Sequence, residues 1–400
     1  METMGLRKHL DLVLSENPHE AEQRARRSFC RECDGLSAPI KLVLYGAGNV
    51  GKKALAALLG SELEVLAFVD KRSELWGASI CGIPVLDAPT AVSLYGGSAL
   101  FVVTVCSPSI DSGVLRISAE LRALGARKVI PFVTLFWAFP DTLLPHYMWD
   151  LPTGLLRQFE GIRRAFSLLG DMRSAETFVR YLEFLSFGDF DLCPEPCSDV
   201  QYFPDFLIPH PDGEAFVDAG AYTGDSIDSL FAFTGERVRH LWAFEPDPSS
   251  FSTLEKTVSA QHSLRGVASL YPYALGAKVG EVRFRTGNES GSLVAESGEH
   301  RVQCTTVDSV LEGQSPTFIK MDIEGAELEA LAGAASLIRR CQPVCAIASY
   351  HRQDHFWRVP ILLRELLPSA QVFVRSHSFD GFELVTYKVD PIVKTIFCPQ

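Results

Sequence analysis

Two apolar runs of strand length each end in a carboxylate, and a glycine-rich turn follows the first of them. Ala215-Phe216-Val217-Asp218 leads into Ala219-Gly220-Ala221-Tyr222-Thr223-Gly224-Asp225, and Leu241-Trp242-Ala243-Phe244 ends at Glu245. The pattern predicts a strand, a tight turn, a helix and a second strand laid beside the first in an open parallel sheet. Gly220 and Gly224 let backbone come close to a ligand, the helix opening near Asp225 aims its amides at it, and Glu245 at the next strand end can accept both hydroxyls of a ribose. A dinucleotide turn keeps Gly-x-Gly-x-x-Gly so that backbone meets a pyrophosphate. Here an acid precedes Gly-Ala-Tyr-Thr-Gly, which suits a cationic, phosphate-free ligand with an amino-acid tail, S-adenosylmethionine. Taken alone, the stretch also fits an ordinary strand-turn-helix corner.

Four hundred residues exceed one core of usual size, so more than one domain is expected. A formal net charge of -12 argues against a nucleic-acid partner, which needs a basic face to meet phosphates. The longest apolar runs, near residues 98–106 and 343–348, have strand length, so no membrane span is expected. The opening Met1-Glu2-Thr3-Met4-Gly5 carries no export-signal core, and a cytoplasmic location is the expectation. The ten cysteines then read as reduced thiols, most of them small hydrophobes beside strands. Cys30-x-x-Cys33 resembles half a zinc knuckle, but the second half is missing.

Along the chain, residues 1–38 read as a helical preamble. Residues 39–136 read as a Rossmann-like nucleotide-binding domain. Its first strand runs into Gly46-Ala47-Gly48-Asn49-Val50-Gly51, and the strand Val65 to Val69 ends at Asp70, a dinucleotide-type turn with an acid at the correct distance. Gly46, Gly48, Asn49, Gly51 and Asp70 are therefore candidates for a second site, holding a nucleotide or nucleotide-sugar; a domain that docks without a ligand is the bland alternative. Residues 137–212 interrupt the alternation with a helix-like stretch from Thr153 to Phe187 and the loop Cys193-Pro194-Glu195-Pro196-Cys197, expected to form a helical linker or lid. The alternation restarts over 213–400 and closes with Gln371 to Arg375 and Phe382 to Lys388, an expected antiparallel pair. The predicted fold class is α/β, two tandem Rossmann-like doubly wound domains joined by a helical linker.

The second half resembles the FkbM-type methyltransferases, class I enzymes dependent on S-adenosylmethionine. The resemblance rests on Gln201-Tyr202-Phe203, Phe216 to Ala221, Ala243-Phe244-Glu245-Pro246-Asp247, Thr306-Val307-Asp308, Ile319-Lys320-Met321-Asp322-Ile323-Glu324-Gly325-Ala326-Glu327 and Tyr350-His351. It implies a class I methyltransferase fold for 213–400. It also implies that Asp218 and the turn Gly220, Ala221, Tyr222, Thr223, Gly224 and Asp225 hold the methionine end of the cofactor, Glu245 the ribose, and Asp322 the amino group or methyl. The family usually carries Asn or a similar small polar residue inside the first turn, where this chain has Tyr222-Thr223. The front domain resembles the nucleotide-binding modules of sugar acyltransferases, through Gly46 to Gly51, Phe68-Val69-Asp70, Leu75-Trp76-Gly77 and Gly82-Ile83-Pro84-Val85-Leu86.

For chemistry, His351 is the candidate general base with Asp354 as its orienting partner, a structural histidine hydrogen-bonded at the sheet edge being the alternative reading, and Asp322 stands near the methyl; positioning of the activated sulfonium can also dispense with a base. Glu324 reads as a helix N-cap. No metal is expected, because Asp322 and Glu324 lack a clear third ligand. His355, His377 and Arg375 read as solvated surface residues or as binders of an anionic acceptor. The expected function is transfer of a methyl group to a hydroxyl of a sugar, glycan or related natural product. The rivals are a non-catalytic nucleotide-binding adaptor and an NAD-dependent oxidoreductase using Gly46 to Gly51.

Overall fold

The apolar runs form two largely parallel sheets in the computed structural model, which describes residues 2–285, 293–294 and 300–389. The chain divides into two units. One takes residues up to 159 with 179–195 and 378–382, and the other takes 160–178, 196–377 and the chain from 383. The divide falls inside the helix Met172–Phe187, within the stretch expected as a linker. The end of the expected C-terminal domain, 390–400, lies outside the described residues.

In the first unit, the polar preamble forms the helices Glu2–Val13 and Pro18–Cys33, the second capped by Asn17, whose side chain accepts from the His19 and Glu20 amides. Strands β1 (Lys41–Tyr45), β2 (Glu64–Val69), β3 (Ser79–Ile80), β4 (Ile83–Leu86), β5 (Leu100–Val103) and β6 (Lys128–Pro131) follow. They order as β3-β4-β2-β1-β5-β6, parallel except for the β3–β4 pair. The Gly46 to Gly51 turn joins β1 to the helix Asn49–Leu58, and a Cβ on Gly51 would stand 1.9 Å from the Gly46 carbonyl oxygen, so only glycine closes it.

In the second unit, β7 (Glu214–Ala219), β8 (Val238–Phe244) and β9 (Ala268–Tyr271) are followed by a small sheet of β10 (Ala274–Leu275), β11 (Gly280–Arg285), β12 (Leu293–Val294) and β13 (His300–Thr305). The chain then returns through β14 (Phe318–Met321), β15 (Val344–Ala348), β16 (Gln371–Ser376) and β17 (Leu384–Val389). The main sheet orders as β16-β17-β15-β14-β7-β8-β9, with β17 antiparallel to both β15 and β16, as the terminal pair predicts. Strand order reverses between β7 and β14, which leaves the crevice of a parallel sheet at the ends of those strands. Alternate residues feed opposite faces: Val217 and Ile319 join one apolar cluster, Phe216 and Phe318 the other.

The single helix expected from Thr153 to Phe187 is three: Thr153–Arg157, Phe159–Ser167 and Met172–Phe187. The last break falls at Gly170, whose amide donates to the Val372 carbonyl at 2.7 Å, and Asp171 restarts the helix by accepting from the Ser174 amide at 2.9 Å.

Candidate functional site

The turn after β7 is built to close tightly. Gly220 has φ +81°, and a Cβ there would meet the Asp322 carbonyl oxygen at 1.8 Å, so the ends of β7 and β14 touch through a glycine. The Gly220 and Ala221 amides both donate to the Phe244 carbonyl at 3.0 Å, tying the turn to the end of β8. Tyr222, with φ +45°, projects its ring outward, 58% exposed, and Thr223 is half-buried. Gly224 has φ +88° and Asp225 is exposed ahead of the helix Ile227–Thr234. Glu245, immediately past β8, accepts from the Tyr222 amide at 2.9 Å and from the Asp247 amide at 2.7 Å, one on each oxygen. Each carboxylate oxygen keeps a lone pair for a ligand. Burial raises its pKa, against the pull of those two amides.

Asp218, expected at the methionine end of the cofactor, is a buried carboxylate at the end of β7. It is buried at 1% exposure; Oδ1 accepts from Lys320 Nζ at 2.9 Å and Oδ2 from the Ser226 hydroxyl. Lys320 carried no role in the sequence reading. It lies beside Asp218 in the β7–β14 register, donates also to the Gly220 carbonyl at 2.7 Å, and packs its ammonium 5.2 Å from the centre of the Tyr202 ring. Burial works against its charge, but Asp218, Asp322 and Asp225 together raise its pKa above the usual lysine range. The signal for it was a lysine inside an otherwise apolar strand.

The segment after β14 and the end of β15 bring four ionisable groups together. His351 Nδ1 lies 2.7 Å from Glu327 Oε1, and Nε2 lies 3.3 Å from Asp322 Oδ1 and 3.7 Å from Glu324 Oε2. Burial opposes charge on His351, but Glu327 first, then Asp322 and Glu324, push its pKa up to about 10. Tyr202 donates to Asp322 Oδ2 at 2.6 Å, leaving Oδ1 toward the imidazole. Loss of hydration pushes Glu324 up to about 7; His351 opposes this and Asp322 adds to it.

Glu327 replaces two expected partners. Asp354, expected to orient His351, pairs with Arg358 at 2.6 Å instead. Glu324, expected as an N-cap, has φ +55°, and the helix Glu327–Ala332 starts at Ala326 without a side-chain cap. Glu327 Oε1 accepts from the Ile323 amide at 2.9 Å, so the acid at the helix start folds back on its own loop. Glu327 Oε2 also lies 3.2 Å from His355 Nδ1. His355 and Arg375 are buried rather than solvated, Arg375 holding Asp171 at 2.6 Å, and His377 donates to or accepts from the Tyr387 hydroxyl at 2.7 Å.

In the other unit, Gly46, Gly48, Asn49 and Gly51 form the expected turn, and Asp70 meets it by accepting from the Ala47 amide at 2.9 Å. Arg72 also pairs with that carboxylate at 2.9 Å, and these contacts outweigh burial to lower its pKa.

Residues 218–380 match the family model of the methyltransferase FkbM domain. The fold is similar to methyltransferase FkbM from Methylobacillus flagellatus KT, with a TM-score of 0.74 at 21% identity over 97% of this chain and 99% of that one. A putative rRNA-methylase from Clostridium thermocellum aligns with 46% of this chain and 89% of that one, at 10% identity and TM-score 0.31. A SAM-dependent methyltransferase from Aquifex aeolicus aligns with 43% of this chain and 79% of that one, at 13% identity and TM-score 0.24. No curated protein matches the chain.

Proposed function

We propose that the FkbM methyltransferase domain at residues 218–380 binds S-adenosylmethionine at the ends of β7 and β8 and transfers its methyl group to a hydroxyl oxygen of a sugar, glycan or related small molecule. The observation that carries this reading is Glu245: a carboxylate at the end of β8 that touches the β7 turn through the Tyr222 amide. In that position it accepts both ribose hydroxyls, while Gly220 to Asp225 give the methionine end close backbone. Asp218 and Lys320 then act on the turn from beneath, through the Gly220 carbonyl, rather than on the ligand.

The reaction is an in-line displacement: the S–CH₃ bond breaks as the O–CH₃ bond forms, and the acceptor hydroxyl loses its proton. The sulfonium is already activated, so positioning supplies much of the rate. The acceptor's proton passes to the cluster of Asp322, Glu324 and His351, whose carboxylates are the members open to solvent. Cytoplasmic location remains part of this proposal; among the described residues no helix is long and apolar enough to cross a membrane. The Gly46 to Gly51 turn is proposed to hold a nucleotide or nucleotide-sugar.

Calorimetric titration with S-adenosylmethionine, S-adenosylhomocysteine and, separately, NAD and a UDP-sugar tests the reading. Hydrogen bonds to a charged group contribute roughly 1.5–3 kcal/mol each, so Glu245→Ala is expected to weaken both adenosyl ligands by at least about 100-fold. Any nucleotide signal from the other unit should persist. Undiminished adenosyl binding in the variant removes the assignment, and binding without turnover on any hydroxylated acceptor favours an adaptor.

A further inference from the structure

We propose that Asp322, Glu324 and His351 form a binding site for one divalent transition-metal ion, with Glu327 fixing the imidazole from behind. The three first-named groups converge through Nε2: Asp322 Oδ1 lies at 3.3 Å and Glu324 Oε2 at 3.7 Å. Two ligands held 2.0–2.2 Å from one ion stand roughly 3.0–3.4 Å from each other in octahedral or tetrahedral positions, close to what these atoms show. They do not form hydrogen bonds in place of such an ion. Among the described residues neither His351 Nε2 nor Glu324 Oε2 has a hydrogen-bond partner, although both atoms are buried. A buried polar atom left so costs about 1–3 kcal/mol, which demands a ligand or another explanation.

The surroundings fit an ion as well. Glu327 Oε1 accepts from Nδ1 at 2.7 Å, which leaves Nε2 as the coordinating nitrogen, the carboxylate–histidine arrangement that supports metal ligands elsewhere. Three carboxylates around one imidazole leave an excess of negative charge that a dication offsets. The side chains divide by access: those of His351 and Glu327 are 2% and 0% exposed, those of Asp322 and Glu324 23% and 30%. An ion therefore enters from the Asp322 and Glu324 side and keeps open positions there. One imidazole nitrogen with two carboxylate oxygens favours manganese, cobalt or zinc over calcium or magnesium, which prefer all-oxygen shells.

The expectation of no metal rested on a missing third ligand, and His351 is that ligand, brought in from the end of the neighbouring strand β15. On the methyl-transfer reading above, on which this consequence rests, the open positions take an acceptor oxygen and lower its pKa.

The test uses the full chain, stripped with chelator and free of adenosyl ligand, titrated with MnCl₂ while the electron paramagnetic resonance signal of free aqueous manganese is followed. One ion per chain is expected. Glu324→Gln and Asp322→Asn should each weaken uptake by at least about tenfold, whereas Asp354→Asn should leave it unchanged. Thermal melts monitored by circular dichroism establish that each variant is folded, and CoCl₂ should give a visible absorption band lost in Glu324→Gln. No uptake by the folded protein, uptake by either cluster variant as tight as that of the unaltered chain, or displacement by calcium as readily as by zinc overturns the proposal. Because no adenosyl ligand is present, such a failure leaves the methyl-transfer reading standing on its own test.

Discussion

Lys320→Met is expected to lower the stability of the second unit by about 3–5 kcal/mol, because it strands a carboxylate that the fold has taken out of water. Asp218 is 1% exposed, and without Lys320 it keeps, among the described residues, only the Ser226 hydroxyl as a side-chain partner. The methionine fills the volume, so the loss reports charge rather than packing. At roughly 2–4 °C per kcal/mol for a unit of this size, the melting temperature should fall by about 10 °C. Adding Asp218→Asn removes the stranded charge and should restore more than half of the loss, a non-additivity that a double-mutant cycle reads directly. The same lysine holds the Gly220 carbonyl at 2.7 Å, so the single variant should also loosen the turn and weaken adenosyl binding. A fall of less than 2 °C, or a double variant no better than the single, would show that the pair contributes little.

That pair also marks where the sequence stops being readable. The alternation of apolar runs and glycine turns was enough to place both parallel sheets, the turn at Gly220 to Gly224, Glu245 at the end of β8 and the antiparallel pair at the end of the chain, because each is a local pattern. Lys320 and Asp218 are 102 residues apart and meet only through the β7–β14 register, so no local window contains both. His351 failed in the opposite way: Asp354, three residues on, was the natural partner in a window, yet the imidazole meets Glu327, 24 residues earlier, from the helix beyond the neighbouring strand. The third group of the proposed ion site, His351, was missed for the same reason. The break at Gly170 was a local signal overridden by helical periodicity; there, backbone pairing of Gly170 with Val372 won over continuation of the helix.

Glu327→Ala is expected to cost as much as the lysine change, about 3–5 kcal/mol, because one buried carboxylate serves three donors and stands against a second imidazole. Its oxygens face His351 Nδ1 at 2.7 Å, His355 Nδ1 at 3.2 Å and the Ile323 and Gly325 amides at 2.9 and 3.4 Å. The two histidines and the proximity of cation charge draw its pKa below the usual carboxylate range despite complete burial, which is the mark of a carboxylate that the fold needs ionised. Alanine leaves the His351 Nδ1 and two loop amides without acceptors at the point where the 322–326 loop must present Asp322 and Glu324. Glu327→Gln keeps an acceptor oxygen for His351 or the loop but removes the charge, so it should recover roughly half of the loss. Asp354→Ala breaks a pair with an exposed arginine on one helix face and should cost under about 0.5 kcal/mol. Urea denaturation of the three variants checks the ranking. Glu327→Ala no more destabilising than Asp354→Ala would mean that water enters and satisfies the histidines, and that the cluster is neither dry nor fixed.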